Sequence, residues 1–530
     1  MITRIDNAHI LTQDPARPVT DAVAFANGRI LAVGQAARDL PADQVCDAGG
    51  RTLSPGFNDV HSHTVWFGQT LLEADLSQAT TPEDVYSALR EAEPNPDGWV
   101  VAAGFRPSGL DAPVEIEQLD LATGGAPLLI KHNSGHAYTV NTAALRAAGV
   151  DPANPPEVEG GEFVRDADGH CTGLLDENAM RAIQEVTLPE SGEEIARALE
   201  LATRRYLERG LTSVTDAGVA GGWIGHSPRE IAAYQNATLH TRMQVMVTMD
   251  VLHEISGHAS DGTGWGLDGG LRTGFGDEWL QIGPVKIFSD GSLLGTTAAL
   301  SENYACCSHH GYFQGDPEQM RTRALRAANS GWSLAIHAIG DAAVDFAIET
   351  LEEAVDKHGV PAMPHRIEHG GVVRPDQIER LRGKPIVVVP QPLFIQAFGD
   401  AMADALGPER TAWSYPGKRL LDASLILPGS SDQPVAPGVP LEVMQAFVER
   451  RTASGRDYGP RDRLTSAEAL YAYTAGSAAA TGWAGRKGQV MPGQLADFVL
   501  LSQDPLQTDD LSTIDVAATI VGGELRYGSF

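Results

Sequence analysis

The 530-residue chain has 69 acidic and 39 basic side chains, a formal charge of −30, and 42% hydrophobic residues. This length allows a large core with an appended domain, and the negative charge disfavours nucleic acid and anionic lipid as partners. No stretch approaches the roughly 20 apolar residues of a membrane span, and the N-terminus lacks the basic start and apolar run of a signal peptide. We therefore expect a cytoplasmic protein with a small-molecule substrate and without nucleic-acid or membrane partners. Self-association as a homodimer stays open.

The chain contains only four cysteines, too few for a disulfide framework, which agrees with a reducing compartment. Cys306 and Cys307 are adjacent in the run C-C-S-H-H, where Ser308, His309 and His310 follow. Zinc sites usually place two to four residues between their cysteines, because neighbouring side chains diverge. A loop with free thiols is the favoured interpretation, and a second zinc site is the alternative.

The predicted elements begin with a strand-like, turn-rich segment over 1–53 and continue with the apolar strand Gly56–His63. Residues 64–180 have their own apolar run, A-P-L-L-I-K-H, and the turn-rich D-P-A-N-P-P, and we interpret them as an insertion. A helix is then predicted over Ser191–Arg209, since Ser191 and Glu194 form an S-x-x-E capping box and Gly210 is a stop signal.

Eight short apolar runs alternate with helical stretches, which is typical of a parallel sheet in an α/β protein. They are Gly56–His63, Leu211–Asp216, Met243–Asp250, Gly283–Asp290, Ser333–Ile339, His365–His369, Pro385–Gln391 and Leu425–Asp432. This order predicts a (β/α)8 barrel, TIM-like, over 54–484. The insertion leaves after the first strand, at the end where barrel active sites lie, so we expect a lid or pocket wall. The two ends, 1–53 and 485–530, are predicted to pair as a small β-sandwich domain.

Polar side chains collect at the ends of these strands. His61 and His63 alternate with one residue between them, so in a strand both imidazoles point to the same side. Two histidines at this spacing also occur by chance. The residues at the other strand ends decide between a metal site and a chance occurrence. Those ends carry Lys286, His337, His369 and Asp432. Each has an ordinary structural explanation by itself, but together they predict a metal site.

Several motifs resemble those of the amidohydrolase superfamily, and more narrowly of amidohydrolase family 3, which contains N-substituted formamide deformylase-like enzymes. They are P-G-F-N-D-V-H-S-H, V-K-I-F-S-D-G-S-L-L-G-T-T-A-A-L, I-H-A-I-G-D-A-A, R-I-E-H-G, G-S-S-D-Q-P-V and G-Q-L-A-D-F-V-L-L. The resemblance covers nearly the whole chain. It is specific for the fold and the metal chemistry and much less specific for the substrate.

The resemblance implies two divalent metal ions, with zinc favoured by the nitrogen and oxygen ligands. The implied ligands are His61, His63 and Asp432 at the more buried ion, His337 and His369 at the second, and Lys286 between them. An ammonium has no lone pair for a cation, but a deprotonated amine adds carbon dioxide and gives a carbamate with two oxygens. Carboxylated Lys286 is therefore expected, and an unmodified lysine beside a single metal is the alternative.

The implied reaction is hydrolysis of a carbonyl or imine-type C–N bond by an activated water, with Asp432 as the general base. We find no glycine-rich phosphate loop in a strand-turn-helix setting. The leading interpretation is a hydrolase of small linear amides, such as N-formyl or N-acyl compounds. Hydrolysis of a cyclic amide, lactone or phosphoester stays open. A catalytically silent binding protein is also open, although the complete ligand set argues against it.

Two insertion segments, K-H-N-S-G-H-A-Y-T-V-N and G-H-C-T-G-L-L-D-E-N-A-M, are similar to family segments that approach the pocket. They supply our candidates for orienting the substrate: His132, His136 and Glu177. Trp66 and Phe105 are candidates for an apolar pocket wall, and ordinary packing or hydrogen bonding is the alternative for all five. The C-C-S-H-H loop departs from the acidic, turn-rich sequence expected in relatives, which puts transfer of any one relative's substrate in doubt.

Overall fold

The structure is a computed structural model that describes the chain except for residues 133–136, 159–160, 222–224, 258–259 and 261–262. The protein is α/β and has two compact units, one of residues 1–64 and 203–530 and the other of residues 65–202. The second unit begins where the insertion was expected and extends beyond residue 180. Among the described residues, no helix combines the length and the apolar character that crossing a bilayer requires.

Two four-stranded parallel sheets of the first unit contain seven of the eight predicted strands. In spatial order, the first sheet consists of Leu280–Ile282, Arg242–Val247, Leu211–Val219 and Phe57–Ser62, and the second of Val285–Phe288, Leu334–Ala338, His365–His369 and Ile386–Val389. A parallel bridge between Thr248 and Lys286 joins them. Every residue of Leu211–Val219 is buried, as expected for a parallel strand covered on both faces.

The predicted eighth strand, Leu425–Asp432, is not a regular strand. Pro428 has no backbone N–H to donate, which interrupts any regular ladder. The end of this segment nevertheless bonds to the Phe57–Ser62 region. The Asp432 N–H donates to the His61 carbonyl at 2.8 Å, and the His63 N–H donates to the Gln433 carbonyl at 2.7 Å. Asp432 is therefore fixed beside the first histidine pair.

Helices connect the strands of the first unit. The longer ones are Pro317–Asn329, Asp341–His358, Leu393–Thr411 and Pro440–Glu449, together with Gly192–Glu208, which begins in the second unit. The shorter ones include Glu230–Asn236, Pro375–Leu381, Lys418–Asp422 and Ser466–Tyr471. The capping box predicted before Gly192–Glu208 is confirmed. The Ser191 hydroxyl accepts from the Glu194 N–H at 3.2 Å, and the Ser191 N–H donates to the Glu194 carboxylate at 3.1 Å. Gly210 follows with φ 77°, the conformation of a helix stop.

Strands from both ends of the chain form one six-stranded sheet in the order Glu524–Gly528, Val516–Val521, Phe498–Leu501, Thr52–Pro55, His9–Leu11 and Val19–Thr20. A four-stranded sheet consists of Arg29–Val33, Val23–Ala26, Thr3–Asp6 and Gln44–Asp47. Ile5, Phe25, Phe498 and Ile520 belong to one buried cluster, so the two sheets share a core. The antiparallel pairing of Phe498–Leu501 with Thr52–Pro55 joins the two ends.

The second unit contains a six-stranded sheet in the order Gly161–Arg165, Cys171–Glu177, Ala137–Val140, Leu128–His132, Val100–Phe105 and Ala74–Asp75. Its helices include Thr64–Thr70, Pro82–Glu91, Ile116–Ala122, Thr142–Ala147 and Arg181–Thr187. Because side chains alternate along a strand, Leu128 and Ile130 pack into one apolar cluster and Leu129 into another. The sheet therefore has a hydrophobic core on each face.

Candidate metal centre

The first unit brings the predicted ligands together at the ends of its parallel strands. His61, His369 and Asp432 each offer one ligand atom, and these atoms lie within 4.8 Å of one another. Oδ1 of Asp432 is 2.9 Å from Nε2 of His63 and 3.4 Å from Nε2 of His61. The ring centroids of His337 and His369 are 4.4 Å apart, which adds a fourth imidazole to the cluster.

Two members of the cluster have an uncommon backbone conformation. His369 has φ 71° and Asp432 has φ 61°, both in the left-handed region. Residues other than glycine seldom occupy this region, and such conformations cluster at functional sites. His369 is the last residue of its strand, and Asp432 ends the irregular segment that replaces the predicted eighth strand.

A buried carboxylate fixes the orientation of His61. Nδ1 of His61 contacts the Glu368 carboxylate, which also accepts from Nε of Arg366 at 2.6 Å. Nη2 of Arg366 donates to the Val60 carbonyl at 2.7 Å. Since Nδ1–H donates to Glu368, Nε2 of His61 keeps its lone pair toward the cluster. Metal-binding histidines typically have such a carboxylate partner.

His369 and His337 are oriented by other partners. Nδ1 of His369 donates to Oε1 of Gln391 at 2.8 Å, and the Gln391 amide donates in turn to the Val389 carbonyl at 2.9 Å. Nε2 of His337 donates to the Gly291 carbonyl at 3.1 Å. Each ring therefore keeps one nitrogen with a lone pair available for a cation.

Burial and mutual charge set the protonation states of the cluster. Burial lowers the pKa of Lys286 to about 8, although Glu368 and Asp432 oppose this shift. Burial and the nearby charge of Lys286 lower the pKa of His337 to about 3. Burial by itself would raise the pKa of Asp432, but the neighbouring His61 and His63 hold it well below its usual range. The shifts of His337 and Asp432 therefore favour a neutral imidazole and an ionised carboxylate, which are the forms that bind metal.

Two buried atoms of the cluster indicate whether a cation fits between these side chains. Nε2 of His61 and Oδ1 of Asp432 are inaccessible to solvent and make no well-aligned hydrogen bond with any described residue. Buried polar atoms without hydrogen bonds are uncommon and costly. A cation that accepts both lone pairs would remove this cost. Nitrogen and oxygen donors of this kind suit zinc and related divalent ions.

The candidates for substrate contact lie in the second unit. Nε2 of His132 is 2.7 Å from the Thr139 hydroxyl, and burial lowers the pKa of His132 to about 4. The His132 ring is 5.0 Å from the ring of Phe105, which is buried in an apolar cluster. Within their own unit, both residues therefore have structural contacts, and their contact with substrate stays a prediction.

The other three candidates are placed only in part. Trp66 is half-buried in the Thr64–Thr70 helix. Glu177 ends the strand Cys171–Glu177, and His136 lies outside the described residues. Their roles in binding substrate also stay predictions.

Sequence reasoning missed the residues that orient the ligands, namely Arg366, Glu368 and Gln391. The signal was available in H-R-I-E-H-G, because Arg366 and Glu368 lie two residues apart on one face of a strand that the pattern predicts to be buried. A pair of opposite charges within a buried strand indicates a specific partner, since unpaired charges are rarely buried.

The sulfur atoms of Cys306 and Cys307 lie close together, although neighbouring side chains usually diverge. They are 3.2 Å apart in an irregular loop. Both are free thiols, as the favoured interpretation predicted. The described residues contain one group of side chains close enough to hold a metal, and it does not include these cysteines.

The fold and the site together define an α/β protein with a candidate metal centre at the ends of parallel strands. Residues 44–527 match the amidohydrolase family. The chain is 30% identical over 524 residues to the putative amidohydrolase YtcJ of Bacillus subtilis, with 96% of each chain covered. The chain therefore belongs to the amidohydrolase family, which confirms the resemblance seen in the motifs.

Two further proteins are similar over almost their whole length. The N-substituted formamide deformylase of Arthrobacter pascens is 28% identical over 544 residues, covering 99% of this chain and 98% of that protein. A crystal structure of an uncharacterized metal-dependent hydrolase from Pyrococcus horikoshii has a TM-score of 0.80 at 25% identity, covering 97% of this chain and 99% of that one.

Proposed function

We propose that this protein is a metal-dependent hydrolase that cleaves a non-peptide C–N bond, of the N-formyl or N-acyl amide kind, in a small substrate. The convergence of His61, His63, His369 and Asp432 on one buried point carries this proposal. The bond type rests on the similarity to the N-substituted formamide deformylase of Arthrobacter pascens. The similarity to the metal-dependent hydrolase of Pyrococcus horikoshii supports the metal chemistry.

The proposal includes a closed (β/α)8 barrel with a terminal β-sandwich. The Thr248–Lys286 bridge joins the two parallel sheets at one edge. At the other edge, the Val60 N–H donates to the Gly429 carbonyl at 3.1 Å, and a parallel bridge pairs Ser62 with Gln433. These bonds support closure through the irregular segment in place of an eighth strand.

The proposed cofactors are two divalent ions, zinc by preference, with Lys286 as a carboxylated bridging ligand. Burial supports this modification, because a lysine with a pKa of about 8 is deprotonated far more often than an exposed one. A buried carbamate needs cations beside it, since an uncompensated buried charge is costly. The lone pairs of His337 and His369, whose rings are 4.4 Å apart, would supply the second ion.

Asp432 is the proposed proton carrier. When bound, the divalent ions lower the pKa of a water molecule and polarise the substrate carbonyl. Asp432 is ionised because His61 and His63 hold its pKa low, so its carboxylate can accept a proton from the attacking water. It then returns this proton to the leaving nitrogen. Glu368 meanwhile keeps Nδ1 of His61 protonated and the ring in place.

The proposal also includes residues that orient the substrate. The proposal retains the five candidates from the sequence, which are His132, His136, Glu177, Trp66 and Phe105. A contact with substrate predicts that His132→Ala raises KM more than it lowers kcat, whereas a purely structural role predicts loss of stability without a selective effect on KM.

The test is metal analysis combined with a substrate panel. The enzyme is offered N-formyl and N-acyl amines, cyclic imides, lactones and phosphotriesters, with the Asp432→Asn protein as a control for contaminating activity. We expect about two equivalents of divalent metal per chain and turnover of the linear amides. Chelation should abolish this turnover, and zinc, cobalt or manganese should restore it. Activity in metal-free enzyme, or turnover of only the cyclic or ester substrates, would contradict the proposal.

A further inference from the structure

The loop after the Val285–Phe288 strand presents two adjacent thiols in contact. Sγ of Cys306 and Sγ of Cys307 are 3.2 Å apart, and neither belongs to a disulfide. Cys306 is exposed and Cys307 is partly exposed, so a small molecule in solution can reach them. Thiol chemistry depends on this access as well as on ionisation.

An imidazole lies against the second thiol. Nε2 of His309 is 3.3 Å from Sγ of Cys307, while the Gly311 N–H donates to Nδ1 of His309 at 3.4 Å. Nδ1 is thus the acceptor, and Nε2 carries the hydrogen that points at the Cys307 sulfur. A hydrogen-bond donor at this position stabilises the thiolate, which is the reactive form of cysteine.

Contacts with the rest of the unit hold this part of the loop. The Tyr304 N–H donates to the His309 carbonyl at 2.8 Å, and the buried Tyr304 ring is 5.7 Å from the His309 ring. The Ala305 N–H donates to the Ala405 carbonyl at 2.8 Å. Both thiols therefore follow directly on an anchored stretch of backbone.

We propose that Cys306 and Cys307 form a modification site for low-molecular-weight disulfides, the class that includes oxidised glutathione, and close reversibly to a disulfide between adjacent residues. The Cys306 thiolate attacks one sulfur of the small disulfide, whose S–S bond breaks and releases one thiolate. The Cys307 thiolate then attacks the Cys306 sulfur of the mixed disulfide and releases the second thiolate. Two protein thiols are oxidised, the small disulfide is reduced to two thiols, and the cysteine protons pass to the departing sulfurs.

The order of the steps follows from the contacts. The hydrogen bond with Cys306 raises the pKa of Cys307, so the exposed Cys306 is the better first nucleophile. Once Cys306 carries the mixed disulfide, Cys307 no longer donates to a Cys306 thiolate, and the His309 contact favours the Cys307 thiolate. The second attack is therefore the one that His309 assists.

Closure between neighbours is reversible for a geometric reason. Adjacent Cα atoms are about 3.8 Å apart across a trans peptide, whereas disulfides usually join Cα atoms about 4.4 to 6.8 Å apart. The resulting ring is strained, and strained, exposed disulfides are the ones that small thiols reduce easily. The proposed bond is thus labile and does not brace the fold.

The test uses the reduced, metal-loaded enzyme incubated with oxidised glutathione. Alkylation and peptide mass analysis then report the state of each cysteine. We expect the peptide across Cys306 and Cys307 to lose two hydrogen atoms, to carry no glutathione, and to return to its original mass with dithiothreitol. Failure of either thiol to react, glutathione retained on both thiols, or dimers linked through Cys306 would each overturn the proposal.

Three variants separate the steps. Cys307→Ser should accumulate glutathione on Cys306, because the second attack is lost. His309→Asn should slow ring closure by about threefold, because a thiol pKa raised by about one unit lowers the thiolate fraction about tenfold while the more basic thiolate is about threefold more nucleophilic. Cys46→Ser is the matched control and should close at the wild-type rate. Equal closure rates in the His309→Asn and wild-type proteins would remove His309 from the proposal.

Discussion

Arg366 and Glu368 form a fully buried ion pair, with Nε of Arg366 2.6 Å from Oε1 of Glu368. The other carboxylate oxygen contacts Nδ1 of His61. Desolvation of two charges offsets much of the attraction between them, so such a pair is weak evidence for a gain in stability. Its clear effect is local, because it fixes which nitrogen of His61 faces Asp432.

Glu368→Gln should weaken metal binding by about 10- to 100-fold, the usual effect of removing a partner of a metal-binding histidine. The amide keeps the shape of the side chain but lacks the negative charge that favours a proton on Nδ1 of His61. Equilibrium dialysis against a chelator, with circular dichroism to verify folding, measures the change. Glu379→Gln, at an exposed ion pair with Arg382, is the control. Unchanged metal affinity in a folded Glu368→Gln protein would show that the pair does not position His61.

Lys286→Ala should lose metal and activity, because the variant has no amine to form the proposed carbamate. Small carboxylic acids added to this variant should partly restore both by supplying the missing oxygens. Lys286→Arg should not, since guanidinium stays protonated. Metal content per chain and turnover are measured side by side. A bare ammonium in the density of fully metal-loaded, active wild-type enzyme would refute the bridging role.

Asp432→Asn should lower kcat by at least about 10²-fold, in the usual range for a positioned acid-base group. The amide keeps one coordinating oxygen but lacks the basicity needed to accept a proton. Metal content and substrate affinity should change far less than kcat. Asp404→Asn, an exposed site on the same unit, is the control. Near-normal kcat with metals in place would move proton transfer to another group.

Glu230→Gln should change how stability depends on pH. Burial raises the pKa of Glu230 to about 7, and its carboxyl accepts from the Ala220 N–H at 2.7 Å and the His226 N–H at 3.1 Å. Between about pH 4.5 and pH 7 the unfolded chain ionises while the folded chain keeps the proton, so Glu230 makes wild-type stability fall by roughly 3 kcal/mol as pH rises.

Glutamine keeps an acceptor oxygen for both N–H groups and does not ionise. Relative to the wild type, the Glu230→Gln protein should therefore gain stability as pH rises through this window, and the difference should level off above about pH 7. Urea unfolding of both proteins from pH 4 to pH 8 measures it. A difference that is constant with pH would mean that Glu230 has no raised pKa in the folded state.

Sequence patterns predicted regular elements well where hydrophobic periodicity and end signals agreed. The Ser191–Glu194 capping box and Gly210 delimit a helix within a residue of its observed ends. The eighth strand was predicted but is not a regular element, because an apolar run satisfied the pattern while Pro428 removed a donor that a ladder needs. Hydrophobic periodicity reflects the polarity of side chains and carries no information about backbone hydrogen bonds.

The candidate ligands could be predicted because strand ends in an α/β fold meet at one edge. Glu368 and Gln391 could not be predicted in their roles, because which imidazole each contacts depends on register between strands. The proximity of the Cys306 and Cys307 sulfurs depends on the dihedral angles of an irregular loop, about which composition and spacing carry little information.

The pairing of Thr52–Pro55 with Phe498–Leu501 has a consequence for the order in which the protein is made. The Gly56 N–H donates to the Asp497 carbonyl at 3.0 Å, so the stretch that leads into His61 and His63 is secured by residues near the C-terminus. Asp432 also emerges late from the ribosome. During synthesis from the N-terminus, most of the chain must therefore be made before His61 and His63 can form their contacts with these later residues. Metal binding at the proposed centre would therefore come at the end of translation, and early release of the chain would leave the two histidines without Asp432.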